Sequence, residues 1–164
     1  MHDMLVKLYD LPSLEDALEL SARQGVAVRP ALSLEKPRVL EWVQAIFPVW
    51  TAETEAAFCR APVSCFLAVR GQDLLGFACY DATCKNFFGP TGVLEEERGR
   101  GLGRALLLAT LHAQRAQGYA YSIIGGVGPA EFYAKTVGAV PIEGSTPGVY
   151  AGALSERDEG LEST

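Results

Sequence analysis

The feature that most constrains the fold is a run of alternating arginines and glycines, Arg98-Gly99-Arg100-Gly101-Leu102-Gly103-Arg104. A strand-like apolar segment precedes it, and a segment with helical periodicity follows it. Glycines at alternate positions let the backbone approach a ligand closely. Because the loop leads into a helix N-terminus, its free N–H groups and the positive end of the helix dipole favour an anion, and the arginines add positive charge. We interpret the loop as a phosphate-binding site.

Two common phosphate-binding motifs do not fit this loop. A Walker loop needs Gly-x-x-x-x-Gly-Lys-Ser/Thr, which the sequence lacks, and the dinucleotide fingerprint Gly-x-Gly-x-x-Gly fails because its last position is Leu106. The same glycines would also suit a tight turn without a ligand, and the motif alone does not separate these two interpretations.

The rest of the chain alternates strand-like and helical segments without repeats or low-complexity linkers. Ser13 is a typical helix N-cap, with Asp16 three residues later, and Gly25 ends that helical pattern. Strands are predicted at residues 4–9, 26–29, 63–69, 74–80, 87–94 and 119–124, with one or two more within 139–150, and helices at 14–24, 38–47, 52–60, 103–117 and 130–137. This order predicts an α/β fold in which helices flank a mixed sheet.

Composition excludes several classes of function. A formal net charge of −6 argues against nucleic-acid binding, which needs a basic surface, and weakly suits a cationic substrate. No segment has the roughly 18 consecutive apolar residues of a membrane helix, and the N-terminus lacks a signal-peptide pattern. We therefore expect a cytoplasmic protein that contacts neither membrane nor nucleic acid. The four cysteines lack Cys-x-x-Cys spacing and only two histidines occur, so no metal site is predicted.

The spacing Arg98-x-x-Gly101-x-Gly103 matches the Gln/Arg-x-x-Gly-x-Gly/Ala signature of the GNAT superfamily of N-acetyltransferases. Phe132-Tyr133-Ala134-Lys135 resembles the Phe/Leu-Tyr-x-Lys of that family's fourth helix, and the predicted hairpin resembles its second and third strands. The segment Gly89-Pro90-Thr91-Gly92-Val93 resembles a bacterial subgroup whose substrate is unassigned. The resemblance covers roughly residues 26–150 and implies a GNAT-like, mostly antiparallel central sheet flanked by helices.

The resemblance also implies a reaction and roles for particular residues. Acetyl-CoA would be the co-substrate, and a primary amine would attack its thioester directly in a ternary complex. The backbone of Thr91, Gly92 and Val93 would pair with the pantetheine arm, and an N–H near Val93 would hold the developing oxyanion. Tyr133 would protonate the departing CoA thiolate. The pyrophosphate would be bound by Arg98, Gly99, Arg100, Gly101, Leu102, Gly103 and Arg104.

Departures from the family pattern leave the general base open. Gly126 stands where members often carry Asn, and no carboxylate lies within residues 119–126. The spacing between Lys135 and Gly138 is one residue longer than is usual in the family. The residues weighed for this role are Glu95, Glu96, Glu97, Glu131, His112, Tyr119 and Tyr121, with an acyl-cysteine route through Cys79 or Cys84 as a further alternative. We expect the carboxylates to be surface groups, His112 to be structural, and water or the two tyrosines to relay the proton.

The sequence divides into three parts on this interpretation. Residues 1–25 form an N-terminal strand and helix packed on the domain, 26–154 form the acetyltransferase domain, and 155–164 form an acidic, frayed tail. The acceptor is left open, and a homodimer is compatible with the sequence. The alternative function is a non-catalytic CoA-binding or protein-interaction module on the same fold, which the missing strand carboxylate favours and Tyr133 disfavours.

Overall fold

A computed structural model describes residues 2–154. Within these residues, seven strands and five helices follow one another in mixed order. The strands are β1 (Met4–Lys7), β2 (Ala27–Pro30), β3 (Cys65–Arg70), β4 (Asp73–Tyr80), β5 (Phe87–Val93), β6 (Tyr121–Ile124) and β7 (Val140–Pro141). The helices are α1 (Leu14–Arg23), α2 (Lys36–Ile46), α3 (Thr51–Phe58), α4 (Leu102–Ala116) and α5 (Ala130–Val137).

All seven strands form one sheet in the order β2-β3-β4-β5-β6-β1-β7. Every neighbouring pair is antiparallel except β5 and β6, which run parallel. The predicted fold class, a mixed and mostly antiparallel sheet flanked by helices, is therefore confirmed. The single parallel pair needs a crossover connection, which α4 supplies.

Each face of the sheet packs against its own helices. On one face α4 is the central helix, and its residues from Ala105 to Leu108 are almost completely buried together with residues of α1, β1 and α5. On the other face α2 and α3 enclose a smaller core around Phe77, where Trp42, Phe47 and Trp50 surround the Phe77 ring at centroid distances of 6.0–6.4 Å. The two cores lie on opposite sides of the strands that border the candidate site.

Local sequence signals explain several helix boundaries. The Ser13 side chain accepts a hydrogen bond from the Asp16 N–H at 3.3 Å, as expected for an N-cap, and this predicted start of α1 is confirmed. The hairpin of β3 and β4 also forms as predicted. Of the one or two strands predicted within residues 139–150, one forms as the two-residue β7, and a 3-10 turn follows at Gly148–Tyr150. Pro141 and Pro147 lack the N–H that a longer strand would need.

The N-terminal segment takes part in the sheet itself. β1 lies between β6 and β7 and forms antiparallel pairs with both, and Met4, Val6 and Leu8 are buried. The N-terminal segment therefore supplies a strand inside the sheet, next to β6. The predicted division at residue 25 stays a prediction, and the predicted acidic tail lies outside the described residues.

Candidate active site

The two parallel strands separate after only two paired residues. Phe87 pairs with Ile123 and Phe88 with Ile124, and beyond this point β5 continues to Val93 without β6 beside it. Four residue steps from Gly89 to Val93 correspond to about 13 Å of strand with one open edge. A wedge-shaped gap therefore opens in the middle of the sheet.

The open edge of β5 offers backbone hydrogen-bonding groups. The Leu94 N–H donates to the Leu75 carbonyl on the β4 side at 2.9 Å. Because polar groups of successive strand residues point to opposite edges, those of Val93 and Thr91 point into the gap. The side chain of Arg98 donates from Nε to the Val93 carbonyl at 3.3 Å, which confirms that direction. Gly92 directs its own groups toward β4, and an added Cβ would lie 2.8 Å from the Phe47 ring.

A cleft of about 670 Å³ follows this gap, a volume typical of small-molecule sites. Of the residues that the sequence assigned to the site, six line the cleft: Thr91, Gly92, Val93, Arg98, Gly103 and Tyr133. Gly99, Arg100, Gly101, Leu102 and Arg104 do not line it, and the Leu102 side chain is buried in the core. Gly99, Arg100 and Gly101 are in the loop beside the cleft, and Leu102 and Arg104 are in the first turn of α4.

The loop before α4 presents a row of free backbone donors. Gly99 and Gly101 have φ values of +76° and +83°, which other residues rarely adopt. The first helical hydrogen bond runs from the Ala105 N–H to the Gly101 carbonyl at 3.0 Å. In the part of the chain that the structure describes, no backbone or side-chain acceptor binds the six N–H groups from Gly99 to Arg104. Such a row at a helix N-terminus suits an anion.

Glu97 anchors this loop rather than serving the cleft. Both of its carboxylate oxygens accept hydrogen bonds from the Arg70 guanidinium, at 2.7 and 3.0 Å, and Arg100 lies 3.4 Å away. The hydrogen bonds from Arg70 lower the pKa of the Glu97 carboxyl, and the charge of Arg100 adds to this effect. The buried position of Glu97 differs from the solvated turn expected for residues 95–97, whereas Glu95 and Glu96 are exposed.

Tyr133 reaches the cleft from α5. Its ring packs edge to face against Phe88 and Phe132, with centroids 6.1 and 5.1 Å away, so the side chain is held in one orientation. Burial raises the pKa of Tyr133 to about 12. Its hydroxyl forms no hydrogen bond with any of residues 2–154. The geometry leaves a protonated donor at the cleft wall with its O–H uncommitted.

The other residues considered as a base lie away from the cleft. Glu131 is exposed and pairs with Lys135 at 2.7 Å, and a ring nitrogen of His112 lies 2.9 Å from the Pro12 carbonyl. Tyr119 donates to the Asp81 carboxylate at 3.0 Å, while Tyr121 is partly exposed against the Tyr9 ring. The thiol of Cys79 is fully buried, and Cys84 is half-buried outside the cleft lining.

The sequence did not predict the residues at the end of the cleft away from the loop at residues 98–104. Glu53 from α3, Thr83 from the β4–β5 connection and Tyr150 from the last turn line it together with the rings of Phe47 and Trp50. The Thr83 hydroxyl donates to the Glu53 carboxylate. Burial raises the pKa of Tyr150, and the negative charge of Glu53 raises it further. No local pattern marks these residues, because they lie far apart in the sequence.

Neither a metal site nor a membrane span is evident in the described part of the chain. Within residues 2–154, no group of three His, Cys, Asp or Glu side chains could hold a metal ion. None of the described helices is long and apolar enough to cross a membrane.

Comparison with known proteins points to one family. The model of the acetyltransferase (GNAT) family matches residues 36–138. A GCN5-related glucosamine N-acetyltransferase region of a fungal multi-domain GH3 β-N-acetylglucosaminidase superposes with a TM-score of 0.71 at 14% identity, covering 86% of this chain and 19% of that chain. A GCN5-related N-acetyltransferase from Sphaerobacter thermophilus gives a TM-score of 0.67 at 22% identity, covering 86% and 48%.

A GCN5-related N-acetyltransferase from Kribbella flavida gives a TM-score of 0.53 at 16% identity and covers 85% of this chain and 53% of that chain. The present chain thus spans about half or less of these three structures. At such identities the likeness concerns the fold. No curated protein sequence matches the chain.

Proposed function

The chain belongs to the GNAT family of acetyltransferases, and from this premise we propose that it transfers the acetyl group of acetyl-CoA to a primary amine by direct attack in a ternary complex. The observation that carries the proposal is the row of six N–H groups from Gly99 to Arg104, which have no acceptor within residues 2–154 and lie where the open edge of β5 ends. A diphosphate has the charge and the acceptor oxygens that such a row requires.

The proposed cofactor arrangement uses the open edge of the sheet. The pyrophosphate of CoA binds the loop, with Arg98 and Arg104 adding charge, and the pantetheine arm runs along β5 as an additional strand. Thr91 and Val93 supply hydrogen-bonding groups to that arm, whereas Gly92 supplies space beside the Phe47 ring. The N–H of Val93 polarises the thioester carbonyl and stabilises the charge that develops on its oxygen.

Tyr133 is the proposed proton donor to the departing thiolate. Its hydroxyl has no partner in the described structure, and its raised pKa keeps it protonated at neutral pH. A non-catalytic CoA-binding module would have no use for an uncommitted hydroxyl in an aromatic setting at the cleft wall. This feature favours catalysis over the alternative module.

Two measurements on the same protein test the proposal. Calorimetry with CoA measures cofactor binding, and release of free thiol from acetyl-CoA measures turnover with a panel of primary amines. Butylamine, phenethylamine, lysine methyl ester and glucosamine cover apolar, aromatic, cationic and sugar acceptors. Glucosamine is included because one fold relative is described as a glucosamine N-acetyltransferase region.

The outcomes separate the candidate functions. Binding of CoA with amine-dependent thiol release supports the acetyltransferase. Binding of CoA without release for any amine in the panel favours the non-catalytic module. Failure to bind CoA rejects the acetyltransferase and the CoA-binding module, since both depend on the same loop, and leaves the protein-interaction module.

A further inference from the structure

Glu53 differs from the other acidic residues that are near the cleft. It is the one carboxylate among the cleft-lining residues of the described chain, and it is half-buried. Within residues 2–154 no Lys, Arg or His lies within ion-pair distance of it. Glu55, two residues later on α3, pairs instead with Lys36 at 3.0 Å on the surface. Glu53 is thus a cleft carboxylate without a cation to balance it.

The carboxylate is held in a fixed position. The Thr83 hydroxyl donates to Oε1 of Glu53, which leaves Oε2 without a partner in the described structure. An added Cβ at Gly125 would lie 2.7 Å from the Tyr150 hydroxyl and 2.9 Å from the Phe87 ring, so these groups meet at the start of the gap between β5 and β6. Glu53 lines the cleft together with Tyr150, Phe87 and Gly125, so its charge lies at this same end.

Glu53 and Tyr133 approach the gap from opposite faces of the sheet. Tyr133 belongs to the core formed with α4 and contacts the Phe88 ring. Glu53 comes from α3, which packs on the other face over the core around Phe77. Because Phe87 and Phe88 are consecutive strand residues, their side chains point to the two faces of the sheet. Tyr133 and Glu53 therefore border the same gap from the two faces of the sheet.

We propose that Glu53 is the general base of the reaction, which takes a proton from the ammonium group of the acceptor. This inference rests on the proposed acetyltransferase function. One proton passes from the ammonium nitrogen to Glu53, and the freed electron pair forms the bond to the thioester carbon. As the C–S bond breaks, the thiolate takes a proton from Tyr133, which recovers one from the acylated nitrogen. Glu53 releases its proton to water, so each turnover yields one amide, one thiol and one proton.

The surroundings of Glu53 suit an organic cation. The aromatic rings of Phe47, Trp50 and Tyr150 line the same region, and aromatic faces attract ammonium groups. The titratable groups that interact with Glu53 are Cys79 on β4 and Tyr150, and Asp3 and Cys84 lie near Tyr150 in turn. Burial raises the pKa of the Cys79 thiol and of Tyr150, so neither competes for the proton at neutral pH. Lys36 on the neighbouring α2 is engaged by Glu55.

The test is the variant Glu53→Gln, which keeps the shape of the side chain and its ability to accept from Thr83. With the best amine of the panel, we expect kcat/KM at pH 7 to fall by about 100-fold or more, the usual scale for a general base. The loss should shrink as the pH approaches the pKa of the acceptor's ammonium group, about 10 for an alkylamine, because the unprotonated amine needs no base. The affinity for CoA, measured by calorimetry, should not change.

Two further variants sharpen this test. Glu55→Gln removes a carboxylate from the same helix outside the cleft and should keep the wild-type rate at every pH. Tyr133→Phe should lose activity without recovering at high pH, since its role concerns the thiolate. The proposal is overturned if Glu53→Gln keeps wild-type activity at pH 7, or if its loss is equal at all pH values. Absence of turnover in the wild-type protein would instead reject the acetyltransferase function itself.

Discussion

Gly103 offers a sharp test of the proposed phosphate-binding role of the loop at residues 98–104, because the protein leaves room for a side chain there. An added Cβ would lie 3.9 Å from a Val93 methyl and 4.0 Å from the Phe132 ring, which are ordinary contact distances. The residue is in the first turn of α4 and lines the cleft. Replacing it with valine should therefore leave the fold intact and place two methyl groups over the free N–H donors.

The expected loss of affinity follows from the hydrogen bonds that the methyl groups would block. A hydrogen bond to a charged group contributes about 1.5–3 kcal/mol. Loss of two such bonds to phosphate oxygens would cost about 3–6 kcal/mol, which weakens CoA binding roughly 10²- to 10⁴-fold. Calorimetric titration of Gly103→Val with CoA measures this change directly.

Gly103→Ala is the matched control. The family signature accepts alanine at this position, so CoA affinity should stay close to the wild-type value. Alanine is favoured over glycine in helices by up to about 1 kcal/mol, which would raise the melting temperature by about 2–4 °C in a protein of this size. Wild-type affinity in a folded Gly103→Val protein would refute the assignment of the loop to phosphate.

Further changes test the other roles. Tyr133→Phe should lower kcat by about 10²-fold with little change in CoA affinity, because only the proton donor is removed; a wild-type rate with a good acceptor would contradict its role. Single Gln substitutions at Glu95, Glu96 and Glu131 should leave steady-state activity near the wild-type level, and a loss of roughly 100-fold from any one would identify it as the base. Glu97→Gln should lower the melting temperature, since it breaks the pair with Arg70. The low pKa of Glu97 means that this contribution is present above the ordinary carboxyl pKa and is lost as the pH falls through the lower folded value, so the variant and the wild type should melt alike in strong acid. Deleting residues 1–25 should unfold the protein or change its oligomeric state in light scattering, because β1 pairs with two strands; a stable, unaltered protein that lost only acceptor binding would place the segment in the substrate site.

The parts of the fold that the sequence predicts well are those with local signals. The helix α4 combines a long apolar periodicity with glycines on both sides, and the β3–β4 hairpin has a polar turn between two apolar runs. In the segment after Ala139 the sequence predicts one or two strands, and the strand that forms there, β7, has two residues because Pro141 and Pro147 limit pairing. An alternation of apolar and polar residues predicts a strand, but it does not show how much of that strand has a partner beside it.

The candidate site divides in the same way. The loop at residues 98–104 is contiguous, so its chemistry can be inferred from a short motif before any fold is known. The far end of the cleft is built from Glu53, Thr83 and Tyr150, which become neighbours only through the packing of α3 and the last turn on the sheet. Nothing in the local sequence separates Glu53 from Glu55, since both are carboxylates on one short helix. Only tertiary structure assigns one to the cleft and the other to a surface ion pair.

The position of Gly126 links the N-terminal segment to the cleft. The Gly126 N–H donates to the buried carboxylate of Asp3 at 2.9 Å, and the Asp3 backbone binds Ser145 and Ile142 on the chain that leads to Tyr150. Asp3, the residue before β1, therefore fixes both the cleft wall at Gly126 and the segment that carries Tyr150 to the cleft. At position 126 the chain has a glycine whose backbone is held by the Asp3 carboxylate. The segment before β2 thus contributes to the shape of the cleft as well as to the stability of the sheet.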